Sequence, residues 1–246
     1  MLSQNRPRVS VVLPAKDEAG NLPGLIDEIA AALAGDRFEI VVVNDGSRDE
    51  TEAVLRRLAR DRPYLRQILH REPCGQSAAI VTGVQVARGD LVATLDGDGQ
   101  NDPRYLPPLL SLLADPRVGL AAGQRLKRQA STAKRLASRA ANALRSSLLK
   151  DRTRDTGCGL KAFRRDLFLR LPVFDGLHRY LPALVLREGF EVRHLDVIDR
   201  PRRHGRSNYG VLDRALVGAL DLFGVWWLRR RRKRVPEPRE VEFSDV

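Results

Sequence analysis

Cysteine is nearly absent: the chain of 246 residues has two, Cys74 and Cys158. Their separation fits no metal-binding spacing, and two cysteines build no disulfide framework, which points to a reducing compartment. The four histidines, His70, His178, His194 and His204, show no ligand spacing either. Aromatic residues make up only 5% and are not interleaved with the basic ones, so the stacking platforms of single-stranded nucleic-acid binders are missing. Residues 1–8 hold no apolar signal core. No apolar run convincingly reaches the roughly 20 residues that a membrane span needs. No internal repeat or low-complexity linker divides the chain, which suggests one main domain and a tail.

A hydrophobic content of 43% can fill a proper core in one large α/β domain. Lys plus Arg number 43 against 31 acids, a formal charge of +12. Such a balance suggests an anionic partner: nucleic acid, a phosphorylated substrate or a membrane surface.

The first 125 residues alternate β-rich runs with helical patterns. Residues 9–13 read as a buried strand ended by Pro14, 39–43 as a second, 66–70 as a third and 91–95 as a fourth. Between them, helices are expected over 22–33, from Ser47 and Asp49 as caps to about residue 60, and over 76–87. Asp102 before Pro103 suits a cap for a helix at Tyr105. Continuous apolar strands alternating with helices predict a parallel sheet covered on both faces, with ligands at the carboxyl ends of its strands.

Three of those ends are polar: Pro14-Ala15-Lys16-Asp17-Glu18, Asn44-Asp45-Gly46-Ser47 and Asp96-Gly97-Asp98. On one edge their acids repel unless a cation or a hydrogen-bonding ligand lies between them. Two carboxylates one residue apart, loosened by glycines, suit a divalent cation beside a diphosphate, because Mg2+ and Mn2+ favour oxygen ligands. Beyond Arg125 the composition shifts. Residues 127–154 hold nine basic residues and one acid, Asp151, with a helix expected over 133–149. A polar turn at 154–159, a short helix from Asp166 and a strand over 190–198 follow.

In this order the motifs resemble family-2 glycosyltransferases of the GT-A fold, and among them the polyprenyl-phosphate sugar synthases (the dolichol-phosphate mannosyltransferase-like subgroup). The resemblance runs from about Val9 to Tyr209. Besides the three strand ends it includes Gly123-Gln124-Arg125, Asp155-Thr156-Gly157-Cys158-Gly159 and His204-Gly205-Arg206-Ser207-Asn208-Tyr209. Asn44 stands where the family often has an acid, and Asn208 where a lysine is common.

The resemblance implies a Rossmann-like, mostly parallel sheet with helices on both faces, and metal-dependent, inverting transfer of a sugar from a nucleotide-sugar donor to polyprenyl phosphate. It implies that Pro14, Glu18, Asn44, Asp45 and Asp96 contact the nucleotide. Asp96, Asp98 and Gln100 would hold Mg2+ or Mn2+. Asp98, Asp155 and Arg125 would stand at the reacting centre, Asp155 orienting a basic residue or assisting as a base. Arg125, Arg139, Arg203 and Arg206 would meet the acceptor phosphate, since arginine forks match phosphate oxygens in pairs. The acceptor is already an anion, so alignment and charge stabilisation are the protein's main contributions. Cys158 is expected to be a small buried side chain.

The domain is expected over 1–211. Residues 212–234 form a membrane-associating helix with a basic cluster, and 235–246 a disordered tail. At 100° per residue Asp213, Arg214 and Asp221 share one side of that helix. Leu212, Leu216, Ala219, Leu220, Phe223, Trp226 and Trp227 share the other. Six consecutive basic residues, 229–234, would attract anionic lipid at the cytoplasmic face of the cell membrane and make the protein peripheral there. The other reading of the helix is packing on the domain, on a second copy or on a membrane-protein partner. For the whole chain, the alternatives are a polysaccharide or lipid-linked glycan as acceptor and, more remotely, a nucleic-acid-binding module; the scarcity of aromatics among the basic residues argues for no nucleic acid.

Overall fold

The computed structural model describes residues 6–126, 145–201 and 213–233. Its strands are β1 (Val9–Ala15), β2 (Phe38–Asp45), β3 (Leu65–His70), β4 (Leu91–Thr94), β5 (Val118–Arg125), β6 (Lys161–Arg164) and β7 (Glu191–Val197). Its helices are α1 (Leu22–Ala32), α2 (Thr51–Leu58), α3 (Gln76–Val86), α4 (Leu106–Leu112), α5 (Arg165–Leu169), α6 (Leu177–Arg187) and α7 (Asp213–Arg230). Residues 145–149 are helical; the rest of the helix expected over 133–149 lies outside the described residues.

The strands form one sheet in the order β3-β2-β1-β4-β6-β5-β7. Pairings β1–β2, β1–β4, β2–β3 and β5–β7 are parallel; β6 alone runs against its neighbours β4 and β5. The carboxyl ends of the other six strands therefore share one edge, joined there by the amino end of β6.

Alternate residues of the central strands feed two cores, as expected of a sheet covered on both faces. Val11, Leu13, Ile40 and Val42 meet Leu22, Ile26 and Ile29 of α1 and Leu106 and Leu109 of α4. Val12, Val41 and Val43 face Ala79, Ile80 and Val84 of α3, in the same cluster as Leu181, Leu184 and Val185 of α6. These side chains are almost fully buried, and each contributes about 1.5–3 kcal/mol relative to exposure.

β1 does not end at Pro14: Pro14 pairs in register with Val43, and Ala15 with Asn44. The proline is tolerated because its missing N–H points to the side where β4 has already ended. The last β1–β4 pair is Val12 with Thr94, and beyond it the Pro14 carbonyl faces the loop at Gly97. Strands β5 and β6 have no counterpart among the sequence-based expectations. β5 (VGLAAGQR) has two glycines and two alanines at its centre and a single β-branched residue, Val118. A Cβ at Gly119 would lie 2.6 Å from Leu167 and 2.7 Å from Phe190, so close packing selects glycine there.

α7 turns toward the domain a face offset from the apolar side expected for it, sharing with that side Trp226. Val225 is buried, and Leu222 and Trp226 pack on the second core. Tyr180 donates to the Gly218 carbonyl at 3.1 Å and Arg187 to that of Leu228 at 3.1 Å, tying α7 to α6. Asp221 turns toward the domain, where a Cβ at Gly176 would lie 3.0 Å from its carboxylate. Leu220, Phe223 and Trp227 remain 66%, 64% and 50% exposed. Among the described residues no helix is long and apolar enough to cross a membrane.

Candidate active site

The ends of β2, β1 and β4 lie side by side, so the three acid-bearing segments share one crevice edge. Two of them neutralise their repulsion internally. The Asp17 amide donates to Ser47 Oγ at 2.9 Å, and the Arg48 amide to Asp17 Oδ1 at 2.7 Å. The Glu18 amide donates to Thr51 Oγ1 at 3.0 Å, and the Ala19 amide to Asp49 Oδ2 at 3.2 Å. Ser47 thus holds the first loop instead of capping α2, while Asp49 accepts from the Thr51 amide at 3.0 Å. Asn44 Oδ1 accepts from the Ser47 amide at 3.0 Å, and Glu18 Oε2 from Asn21 Nδ2 at 2.6 Å.

Asp45 anchors the loop after β3. It accepts from His70 Nδ1, the Cys74 amide and the Gly75 amide, each at 2.8 Å. Burial alone would raise its pKa, but these hydrogen bonds outweigh it and hold the carboxyl below its usual range. The ligand atoms of Asp45, His70 and Cys74 lie within 4.8 Å of one another. Asp45 and His70 already satisfy each other, however, and His70 Nε2 is 3.0 Å from Thr82 Oγ1.

The third segment is different. Asp96 stands at the end of β4, where its amide donates to Asn101 Oδ1 at 3.1 Å and its Oδ1 accepts from Gln76 Nε2 at 2.7 Å. Burial first, then the Asp98 charge, pushes its pKa up to about 6. Lys161, itself buried at the start of β6, opposes this; burial lowers the lysine's pKa, and its Nζ donates to the Cys158 carbonyl. Asp98 is almost buried, and its Oδ1 accepts from the Gln100 amide at 3.0 Å. Gly159 leaves room for this arrangement, since a Cβ there would lie 2.4 Å from the Asp96 carboxylate. Two crowded carboxylates, one pushed toward neutrality by burial and by its neighbour, fit a hard divalent cation, which would relieve both effects. Asp96 and Asp98, with Gln100 beside them, are the residues placed to hold it.

Across β6, Arg125 closes the other half of the edge. Its Nε donates to Asp155 Oδ2 at 2.5 Å, its Nη2 to Asp155 Oδ1 at 2.9 Å and its Nη1 to Asp199 Oδ2 at 3.3 Å. Burial works against the charge, but the Asp155 hydrogen bonds and both acids hold the guanidinium firmly protonated. Asp199 also accepts from Asn101 Nδ2 at 3.3 Å, so the Arg125–Asp155 fork and the Asp96 loop belong to one network. Burial raises the Asp199 pKa against these partners. Arg200 clamps the same loop: its amide donates to the Gln100 carbonyl at 2.8 Å, and its guanidinium to Glu28 and to Asp102 Oδ1, the latter at 2.6 Å. Asp102 also caps the turn at Pro103–Tyr105 as expected, accepting from the Arg104 amide at 3.0 Å.

Pro14, Glu18, Asn44, Asp45, Asp96, Asp98, Gln100, Arg125 and Asp155 therefore gather on one edge. Arg139, Arg203 and Arg206 lie outside the described residues, as do Leu212 and 235–246. Cys158 is buried, as expected. Gln76, Lys161, Asp199 and Arg200 shape the site but carry no motif signal. Lys161 alone had a sequence clue, a charge within the apolar stretch Leu160–Phe163.

The class that this edge and sheet define is the GT-A architecture. Solved structures share it: a mannosyltransferase from Pyrobaculum calidifontis in complex with GDP-Man and Mn2+ has a TM-score of 0.67 at 24% identity, covering 95% of this chain and 67% of that one. Glucosyl-3-phosphoglycerate synthase from Mycobacterium tuberculosis, with Mn2+, UDP and phosphoglyceric acid, has a TM-score of 0.69 at 21% identity, covering 93% of this chain and 80% of that one. The family model "Glycosyl transferase family 2" matches residues 10–171. The chain belongs to glycosyltransferase family 2 and is a glycosyltransferase. It is 32% identical to a dodecaprenyl-phosphate galacturonate synthase of Rhizobium johnstonii over 232 residues, 92% of this chain and 68% of the relative. It is 35% identical to an undecaprenyl-phosphate 4-deoxy-4-formamido-L-arabinose transferase of Pseudomonas syringae, covering 82% of this chain. The chain spans 60% of that relative's length.

Proposed function

We propose that this protein transfers a sugar, with inversion, from a nucleotide-sugar donor to a polyprenyl phosphate at the cytoplasmic face of a membrane. The observation that carries the reading is the Asp96–Asp98 pair on the same edge as the Arg125–Asp155 fork, linked through Asn101 and Asp199. The names of the two relatives supply the acceptor class. Pro14, Glu18, Asn44 and Asp45 line the donor's nucleotide side. Mg2+ or Mn2+ at Asp96, Asp98 and Gln100 would neutralise the leaving diphosphate. Arg125 uses three of its five N–H groups on Asp155 and Asp199. The other two can take a lipid phosphate. With both carboxylate oxygens committed to Arg125, Asp155 orients it rather than acting as a base. Arg139, Arg203 and Arg206 complete the acceptor side.

The panel that tests this pairs purified polyprenyl phosphate with UDP-glucose, UDP-galacturonate and GDP-mannose, each sugar radiolabelled. Label should pass into the organic phase, and EDTA should abolish the transfer. Label that stays in water, or moves only to glycan acceptors, sinks the acceptor assignment.

Membrane association is assigned to the exposed stripe Leu220, Phe223 and Trp227 and the basic residues after it. Replacing all three with serine should release the protein from anionic liposomes while its unfolding midpoint stays near that of the wild type, because none of the three is buried. Undiminished cosedimentation refutes the assignment, and a change from dimer to monomer would give the stripe to a second copy.

A further inference from the structure

Next to Asp96 stands a hydrogen-bonded pair that the donor and acceptor roles leave unused. Gln76 and Ser77 open α3. Gln76 reaches Asp96, and Ser77 Oγ lies 2.7 Å from His178 Nδ1. His178 occupies the first turn of α6, whose start is set by Gly176 in the left-handed region at φ 84°. Burial, with the Lys161 and Arg179 charges adding to it, pushes the ring's pKa down to about 3. The imidazole is therefore a neutral hydrogen-bonding group. The Lys161 charge is felt by both Asp96 and His178.

Among the described residues the ring makes no hydrogen bond besides that to Ser77. With Nδ1 on Ser77 and the residue only partly buried, Nε2 is left to meet solvent or a ligand. The sheet order says what could fill that space. A nucleotide over the ends of β2 and β1, with its diphosphate at Asp96 and Asp98 after β4, must direct its sugar toward β6 and β5. α6 packs on β5, β7 and α3, which brings its first turn to that side.

We propose that His178 Nε2 hydrogen-bonds a hydroxyl of the donor's sugar, with Ser77 fixing the ring, so that His178 is a specificity-determining residue. The proposal rests on the donor reading above. Its test titrates the full chain, in the presence of Mn2+, with UDP, UDP-glucose, UDP-galacturonate, GDP and GDP-mannose. His178→Ala should leave the Kd of the preferred nucleoside diphosphate within about twofold, and should weaken the matching nucleotide sugar about tenfold, the worth of one hydrogen bond. Ser77→Ala should give a smaller loss in the same direction. His178→Gln should recover part of it and change the ratio of kcat/KM between UDP-glucose and UDP-galacturonate. Equal weakening of diphosphate and nucleotide sugar, with a lowered unfolding midpoint, makes the pair a tie between helices and overturns the proposal. No weakening of either overturns it as well. A wild-type chain that binds none of the five ligands removes the donor reading first, and this inference with it.

Discussion

Asp98→Asn lowers kcat about 10²–10³-fold while the protein folds as before. The substitution removes the charge of one of the two neighbouring acids after β4, and with it half of the proposed cation site. The local turn survives, because an amide oxygen can still accept from the Gln100 amide as Asp98 Oδ1 does at 3.0 Å. Asp98 belongs to a loop, outside both cores, so the unfolding midpoint should move by no more than a few degrees, in line with a ΔΔG of about 1 kcal/mol or less. Steady-state kinetics across a Mn2+ titration, with thermal unfolding in parallel, provide the check. Full turnover in the variant would contradict the role given to this pair.

The second large effect comes from adding one methyl group. Gly159→Ala places a Cβ 2.4 Å from the Asp96 carboxylate carbon and 2.4 and 2.5 Å from its oxygens. The atoms that must yield are the end of a side chain rather than backbone, so the fold should lose only about 1–3 kcal/mol. The carboxylate has nowhere equivalent to go, since Gln76 holds Oδ1 and Asn101 holds the amide. Turnover should fall about 100-fold, with a raised Mn2+ requirement, a loss out of proportion to the change in stability. Gly35→Ala is the control: nothing lies within 4 Å of a Cβ there, and activity should be unchanged. Wild-type activity in Gly159→Ala would mean that Asp96 can move freely, which its two hydrogen bonds argue against.

The parts of the fold that were readable share a physical trait. β1, β2 and β4 are continuous apolar runs, and α1 repeats Leu22, Leu25, Ile26 and Ile29 at helical spacing, so burial leaves a periodic trace. β5 leaves none, because its packing selects small residues, and β6 is only four residues long. The apolar side of α7 was visible as a pattern. That Trp226 faces the domain while Phe223 and Trp227 face outward depends on where α6 lies. In the site, the aspartates were readable because acids at strand ends are unusual. Gln76 and Asp199 were not, since a lone glutamine or aspartate gains its role only from what folds against it, and Lys161 showed only as a charge in an apolar stretch.

Sequence alone determined the class of this protein: apolar strands ending in Asp45 and in Asp96-Gly97-Asp98 confine the chemistry to the carboxyl edge of a parallel sheet, because local composition decides what is buried and what is not. Tertiary structure decided how those acids differ. Asp17, Asp45 and Asp49 are satisfied by backbone amides, whereas Asp96 is left beside Asp98, with Lys161 behind it and Gly159 against it. A carboxylate's charge, partners and room to move depend on groups that the chain brings near only by folding, and no spacing within one segment encodes them.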